Sequence, residues 1–350
     1  MEAGSHTRAE IASQPETWRL TLEALAAVEE RAAETVDAAA GGAWALTGCG
    51  STYYLALASA AVMRRRGLPA RAAPASELAL FPGDALSRAG ALVAFSRSGT
   101  TTETLWAVDR YRQLRPDGKV LVVTCAPGTP LASRASLALI AAHAQEQSVA
   151  QTRSFTSMGL MGQALAAWAT GDPGALQALA QLPGALESLV AREGELPRRM
   201  AADPGLERCF FLGGGPLYGL ACEAMLKTKE LGRAWAEAYH PLELRHGPMA
   251  LVDSGALVVG LISDSAAEHE VAVLRHMKSL GARTVALAEG RGELDWSGVD
   301  HVAELRSGLD EWTRGMLYLP LIQSFALEWA LARGYDPDRP ANLPQVIILE

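Results

Sequence analysis

The strongest constraint on this 350-residue chain is a duplication. An apolar strand at 44–47 runs into the glycine loop G-C-G-S-T at 48–52, and an apolar strand at 209–212 runs into Gly213, Gly214 and Gly215. A strand at 91–95 runs into S-R-S-G-T-T at 96–101, and one at 256–262 runs into S-D-S-A-A at 263–267. Gly48 and Gly213 are separated by almost the same length of chain as Ser96 and Ser263. A whole domain is therefore repeated, not a short solenoid module. Further strands are expected at 70–75, 120–124, 137–141 and 284–288, alternating with helical stretches such as 53–65. This alternation predicts an α/β fold: two tandem domains, each a parallel sheet flanked by helices in a three-layer sandwich.

Residues 1–15 are polar and read as poorly ordered at the start. A helix is expected over about 16–39, stopped by Gly41 and Gly42. One amphipathic helix covers about 310–333, and the tail is Pro-rich, then apolar. The expected organisation is an N-terminal helical segment (1–39), a first domain (40–170), a connector (171–204), a second domain (205–333) and a tail (334–350). Hydrophobic residues make up 49% of the chain, enough for two cores. The net charge of −8 and the lack of a basic block argue against nucleic acid as a partner, so an anionic substrate needs local donors. No apolar run of about 20 residues and no signal-peptide core stand out, which argues against a membrane. Cys49, Cys125, Cys209 and Cys222 are scattered and read as reduced thiols of a cytoplasmic protein.

The chemistry concentrates at 223–230, E-A-M-L-K-T-K-E. Glu223, Lys227 and Glu230 share one helical face, beside Ala224, Met225, Leu226 and Leu231. On spacing alone, a solvated ion-pair rib is the commoner reading and a reacting centre the other. His246, followed by Gly247 and Pro248, adds an imidazole. Carboxylate, amine and imidazole together can move protons on a sugar carbon. In a parallel sheet, the loops at 48–52 and 96–101 feed helix N-termini and offer hydroxyls and N–H groups to a phosphate. The alternative is that these Ser and Thr side chains only cap helices. A dinucleotide fingerprint is incomplete, because Tyr53 stands where its third glycine belongs, although Glu77 follows the second strand. No Walker pattern or G-x-S-x-G elbow is present, and His240, Glu243 and His246 follow no metal-ligand spacing.

Together these residues resemble the two-domain sugar isomerase (SIS) family, with flavodoxin-like domains. They are most similar to the isomerase half of glucosamine-6-phosphate synthase and the related amino-sugar-phosphate deaminases and deglycases. The resemblance spans nearly the whole chain. It rests on G-C-G-S-T-Y-Y (48–54), S-R-S-G-T-T-T-E-T (96–104), E-Q-S-V-A-Q-T-R-S-F-T (146–156), the 223–230 motif, A-E-A-Y (236–239) and E-L-R-H-G-P-M-A-L-V-D (243–253). It implies that Thr52, Ser96, Ser98 and Thr101 bind a sugar 6-phosphate, with Ser51 close by and Arg97 in the same loop. Val149 and Ala150 would line the sugar. Glu230 would shuttle a proton between C1 and C2, Lys227 would lie beside the developing oxygen, and Glu223 would orient Lys227. His246 would open the sugar ring from the neighbouring subunit, which implies a homodimer. Neither metal nor organic cofactor is required.

Two departures shape the expected reaction. The chain reads without a glutaminase domain or an N-terminal cysteine nucleophile. Gln345, in N-L-P-Q, stands where the synthase has a Schiff-base lysine, and an amide cannot form that imine. The expected reaction is glucosamine 6-phosphate to fructose 6-phosphate and ammonia. A fructosamine-6-phosphate deglycase, a plain aldose–ketose isomerase and a non-enzymatic sugar-phosphate sensor are the alternatives. The second serine loop carries Asp264 in place of Arg97 and is expected not to bind phosphate.

Overall fold

The computed structural model describes residues 2–39, 42–344, 346 and 349; Gly41 and Gln345 lie outside the described residues. Two five-stranded sheets form the frame. The first contains β1 (Ala43–Gly48), β2 (Ala70–Pro74), β3 (Ala89–Ser96), β4 (Lys119–Thr124) and β5 (Leu137–Ile140). The second contains β6 (Arg208–Gly213), β7 (Trp235–Tyr239), β8 (Ala256–Leu261), β9 (Arg283–Ala288) and β10 (His301–Glu304). Their orders are β2-β1-β3-β4-β5 and β10-β9-β8-β6-β7, the same arrangement read from opposite edges. Every strand pair is parallel. This is the flavodoxin-like order, with its topological switch point between β1 and β3 and again between β6 and β8. The duplication read from the loops is thus a duplication of topology.

The chain forms two compact units. One, around the first sheet, is Ser13–Glu146, Gln151–Gln181 and Pro344–Glu350; the other, around the second, is Met1–Ala12, Gln147–Ala150 and Leu182–Leu343. Strands such as β8 are buried along their whole length, because helices cover both faces. In the first unit Ala45, Leu92, Ala94, Val120 and Val122 pack against Ala75, Leu78, Ala107, Val108 and Tyr111. The alternate residues, Leu46, Val93, Phe95 and Leu121, face the opposite side, where the helices Ser51–Arg65 and Arg153–Thr170 pack on the sheet and on each other. Glycine is required where each first strand ends. A Cβ on Gly48 would stand 2.5 Å from the Thr52 carbonyl carbon, and one on Gly213 would stand 2.3 Å from the Leu217 carbonyl oxygen. The following helix turns back that closely over the strand end.

Several expectations are corrected. Residues Ser5–Ala12 form a helix rather than a poorly ordered start. Its first N–H groups are capped from the far end of the chain: Asp338 accepts from His6 and Thr7 at 2.9 and 2.8 Å, and Asp336 accepts from Gly4 at 3.0 Å. No local pattern encodes such a cap. The long helix over 16–39 is two helices, Gln14–Ala26 and Glu29–Asp37, broken at Ala27 and Val28 so that both lie on the Arg153–Thr170 helix. The stretch 310–333 is a 3-10 turn, Arg314–Tyr318, before an α-helix, Leu319–Ala332, with Pro320 in its first turn. Strands β7 and β10 had no strand expectation; both are short, polar edge strands, where hydrophobic alternation is weakest. Finally, Arg314–Ala332, with mean hydropathy 1.2, is long and apolar enough to cross a membrane, contrary to the reading that no such run exists. It is a core helix, with 78% of that window buried in the fold.

Candidate active site

In the first unit, parallel pairing of β1 with β3 brings both hydroxyl loops to the switch point. Ser51 and Thr52 open the helix after β1 and are buried. Gly50 before them has φ 55° and ψ −124°, a conformation that favours glycine. The Thr52 hydroxyl accepts from the Cys49 N–H and donates to the Cys49 carbonyl, each at 2.9 Å, which fixes the turn. After β3, Ser96 Oγ accepts from the Gly99 N–H at 3.1 Å and lies 3.4 Å from Thr101 Oγ1. Ser98 Oγ accepts from the N–H and hydroxyl of Thr100 at 3.3 and 3.1 Å. Thr101 is the N-cap of the helix Thr102–Leu114, yet makes no side-chain capping bond. The capping alternative therefore fails for Thr101, whose hydroxyl stays with Ser96 at the loop.

Arg97 behaves differently from the hydroxyls around it. Its guanidinium is 3.5 Å from Glu146, and both side chains are buried. Glu146 also accepts from the Thr152 N–H at 2.6 Å, the Thr152 hydroxyl at 2.8 Å and the Ser154 hydroxyl. Arg97 and Glu146 thus tie the serine loop to the start of the Arg153–Thr170 helix. The sequence reading assigned Glu146 no role, although it opens the 146–156 motif. A buried carboxylate is not distinguishable from a surface one until its partners are known.

In the second unit the helix Leu217–Gly232 carries Glu223, Lys227 and Glu230 on one face. It is not a solvated rib. Glu223 and Lys227 are fully buried, with Lys227 Nζ 3.4 Å from Glu223, while Lys227 also pairs with Glu230, whose side chain keeps 16% exposure. Among the described residues one cation sits between two carboxylates, a costly arrangement in a low-dielectric place that is typical of reacting sites. Glu230 is the member that reaches solvent. Ala150 packs on Leu231 and Ala326 in the same unit, and half-buried Val149 precedes it. His246 stands exposed after the turn Glu243–Arg245, where Gly247 takes φ 120°. Among the described residues it takes no part in the Glu223–Lys227–Glu230 pairs. His240 stacks on Tyr218 at 3.9 Å, and burial lowers its pKa. Among the described residues no group of His, Cys, Asp and Glu could hold a metal ion.

The second serine loop holds its anions within the chain. Glu311 accepts from the N–H groups of Asp264 and Ser265 at 2.7 and 3.1 Å and from the Ser265 hydroxyl. Glu270 accepts from the N–H and hydroxyl of Ser263 at 2.7 and 3.0 Å, and burial pushes its pKa up to about 7. Asp264, the residue on which the sequence argument rested, turns instead to the buried Arg314. The donors that a phosphate would take are satisfied by Glu311, which sequence reasoning missed because it lies 47 positions beyond Asp264.

The SIS domain family profile matches residues 44–168 and 206–294, more than half of the chain. The isomerizing glutamine–fructose-6-phosphate aminotransferase of Aeropyrum pernix is 30% identical over 97% of this chain and 57% of its own length. That of Mycobacterium bovis is 31% identical over 86% of this chain and 50% of its own length. The chain thus spans about half the length of the curated relatives it matches. Among solved structures, tagatose-6-phosphate ketose/aldose isomerase from Escherichia coli superposes with a TM-score of 0.87 at 25% identity, over 99% of this chain and 97% of the other. Glucosamine-6-phosphate deaminase from Thermotoga maritima superposes with a TM-score of 0.79 at 26% identity, over 99% and 100%.

Proposed function

This chain is a member of the SIS domain family, and from that premise we propose that it deaminates glucosamine 6-phosphate to fructose 6-phosphate and ammonia. The observation that carries this reading is the buried Lys227 held between Glu223 and Glu230, with Glu230 alone opening to solvent. The 6-phosphate sits on the hydroxyls and N–H groups of the loops holding Ser51, Thr52, Ser96, Ser98 and Thr101. Arg97 holds that loop through Glu146. With the sugar open, Glu230 removes the proton at C2 and returns it at C1, giving the imine of the ketose. The Lys227 ammonium stabilises the negative charge that develops on the substrate oxygen. Water adds to the imine carbon, and ammonia leaves. Gln345, at the family's lysine position, cannot retain the ketose as a Schiff base.

Ammonia release across a panel of 6-phosphorylated amino sugars and fructosamines tests the proposal. Release from glucosamine 6-phosphate supports it. Aldose–ketose interconversion without ammonia supports the second reading, a plain isomerase, which the superposition on a ketose/aldose isomerase favours. Binding without any turnover supports a sensor.

Exposed His246 is suited to opening the ring in the site of a second copy, in a homodimer. His246→Ala is expected to slow a cyclic substrate about 10²-fold, the contribution of one general acid or base, and to spare an open-chain analogue. Equal losses on both substrates remove the ring-opening role. Mixing the Glu230→Gln and His246→Ala proteins should raise activity on a cyclic substrate above that of either alone if the histidine crosses between copies.

A further inference from the structure

The N-terminal helix Ser5–Ala12 is connected to the segment that precedes the Arg153–Thr170 helix. Glu10, 4% exposed, accepts from the Gln147 N–H at 2.6 Å, the Ser148 N–H at 3.3 Å and the Ser148 hydroxyl. Ser148 Oγ is also 3.2 Å from the Ala150 carbonyl. Ala150 in turn packs on Leu231, the neighbour of Glu230. At its other end the helix is held by Asp336 and Asp338 of the tail, through the Gly4, His6 and Thr7 N–H groups and the Thr7 hydroxyl. Arg8 adds an ion pair to Glu328.

A buried carboxylate is expensive to desolvate and stays only where charged hydrogen bonds repay it. Both Glu10 oxygens accept from one short stretch, Gln147 and Ser148, which fixes the peptide that carries Val149 and Ala150. We infer that Glu10 is a positioning residue for the sugar-contacting segment Gln147–Ala150, with the N-terminal helix as a strut between the tail and that segment. This rests on the proposed function, in which Val149 and Ala150 line the sugar. A group that fixes the wall of a binding site affects ground state and transition state alike, so its loss raises KM and leaves kcat nearly unchanged.

The test uses the full-length protein and the Glu10→Ala, Glu10→Gln and Ser148→Ala variants. Two measurements are made on each: hydrogen exchange of the 147–150 amides, and KM and kcat with the sugar 6-phosphate the wild type turns over. Glu10→Ala is expected to exchange these amides faster and to raise KM about tenfold, with kcat within about threefold, since a misplaced contact costs binding before it costs chemistry. Glu10→Gln keeps one acceptor oxygen for the N–H groups and should recover most of the affinity. Ser148→Ala removes one donor from the same clamp without touching the helix and should shift KM in the same direction, which guards against a Glu10→Ala protein that fails to fold. Unchanged exchange in a folded Glu10→Ala protein overturns the strut. Faster exchange with wild-type KM overturns the positioning role while leaving the functional reading standing. A wild type that neither binds nor converts any hexose 6-phosphate overturns the functional reading and this inference together.

Discussion

Glu230→Gln is expected to lower turnover by about 10³-fold or more, while binding of sugar phosphate stays near the wild-type value. The substitution preserves shape, and the amide oxygen can still accept from Lys227, with which Glu230 pairs. What it removes is the basic lone pair that, in the proposed mechanism, takes the proton from one carbon and returns it to the next. In the proposed function the phosphate sits elsewhere, on the hydroxyl loops after β1 and β3, so affinity should survive. Turnover is measured by ammonia release or ketose formation, and binding by calorimetry with a non-reacting hexitol 6-phosphate. A Glu230→Gln protein that keeps a tenth of wild-type activity sinks the proposed mechanism. Loss of binding along with turnover would make Glu230 a ligand contact rather than the base.

Lys227→Met has the second large effect, and it falls on stability as well as activity. Lys227 is fully buried beside a fully buried Glu223. Removing the cation leaves a carboxylate in the interior without its counter-charge, at a cost of about 3–5 kcal/mol. The Glu223→Gln/Lys227→Met double variant should regain most of that stability, because the stranded charge is gone, yet remain inactive without the ammonium. Denaturant titration of the four proteins gives the coupling directly. If the single variant costs less than about 1 kcal/mol, Glu223 and Lys227 are not a buried charge pair. If the double variant turns over substrate, Lys227 is structural only.

Much of the frame was legible in the chain because it depends on local rules. The glycines at 48 and 213 mark the two places where a helix doubles back over its strand, and a side chain there has no room. The spacing that repeats these glycines also repeats the serine loops, and both sheets share one strand order. The edge strands β7 and β10 were not legible, since a short strand such as W-A-E-A-Y differs little from a loop until a neighbour pairs with it. The same holds for the cap on the Ser5–Ala12 helix, supplied by Asp338 from the opposite end of the chain.

The site divides in the same way. Sequence by itself determined the candidate groups: three charges on one helical face, hydroxyls after β1 and β3, and an imidazole at 246. Their periodicity and position at strand ends follow from backbone geometry alone. Only the tertiary structure decided that Lys227 is buried between its carboxylates, that Glu311 fills the second serine loop, and that Glu10 holds the 147–150 peptide. Desolvation and hydrogen-bond pairing depend on what packs around a group. For these residues the neighbours come from distant parts of the chain, which no spacing rule records.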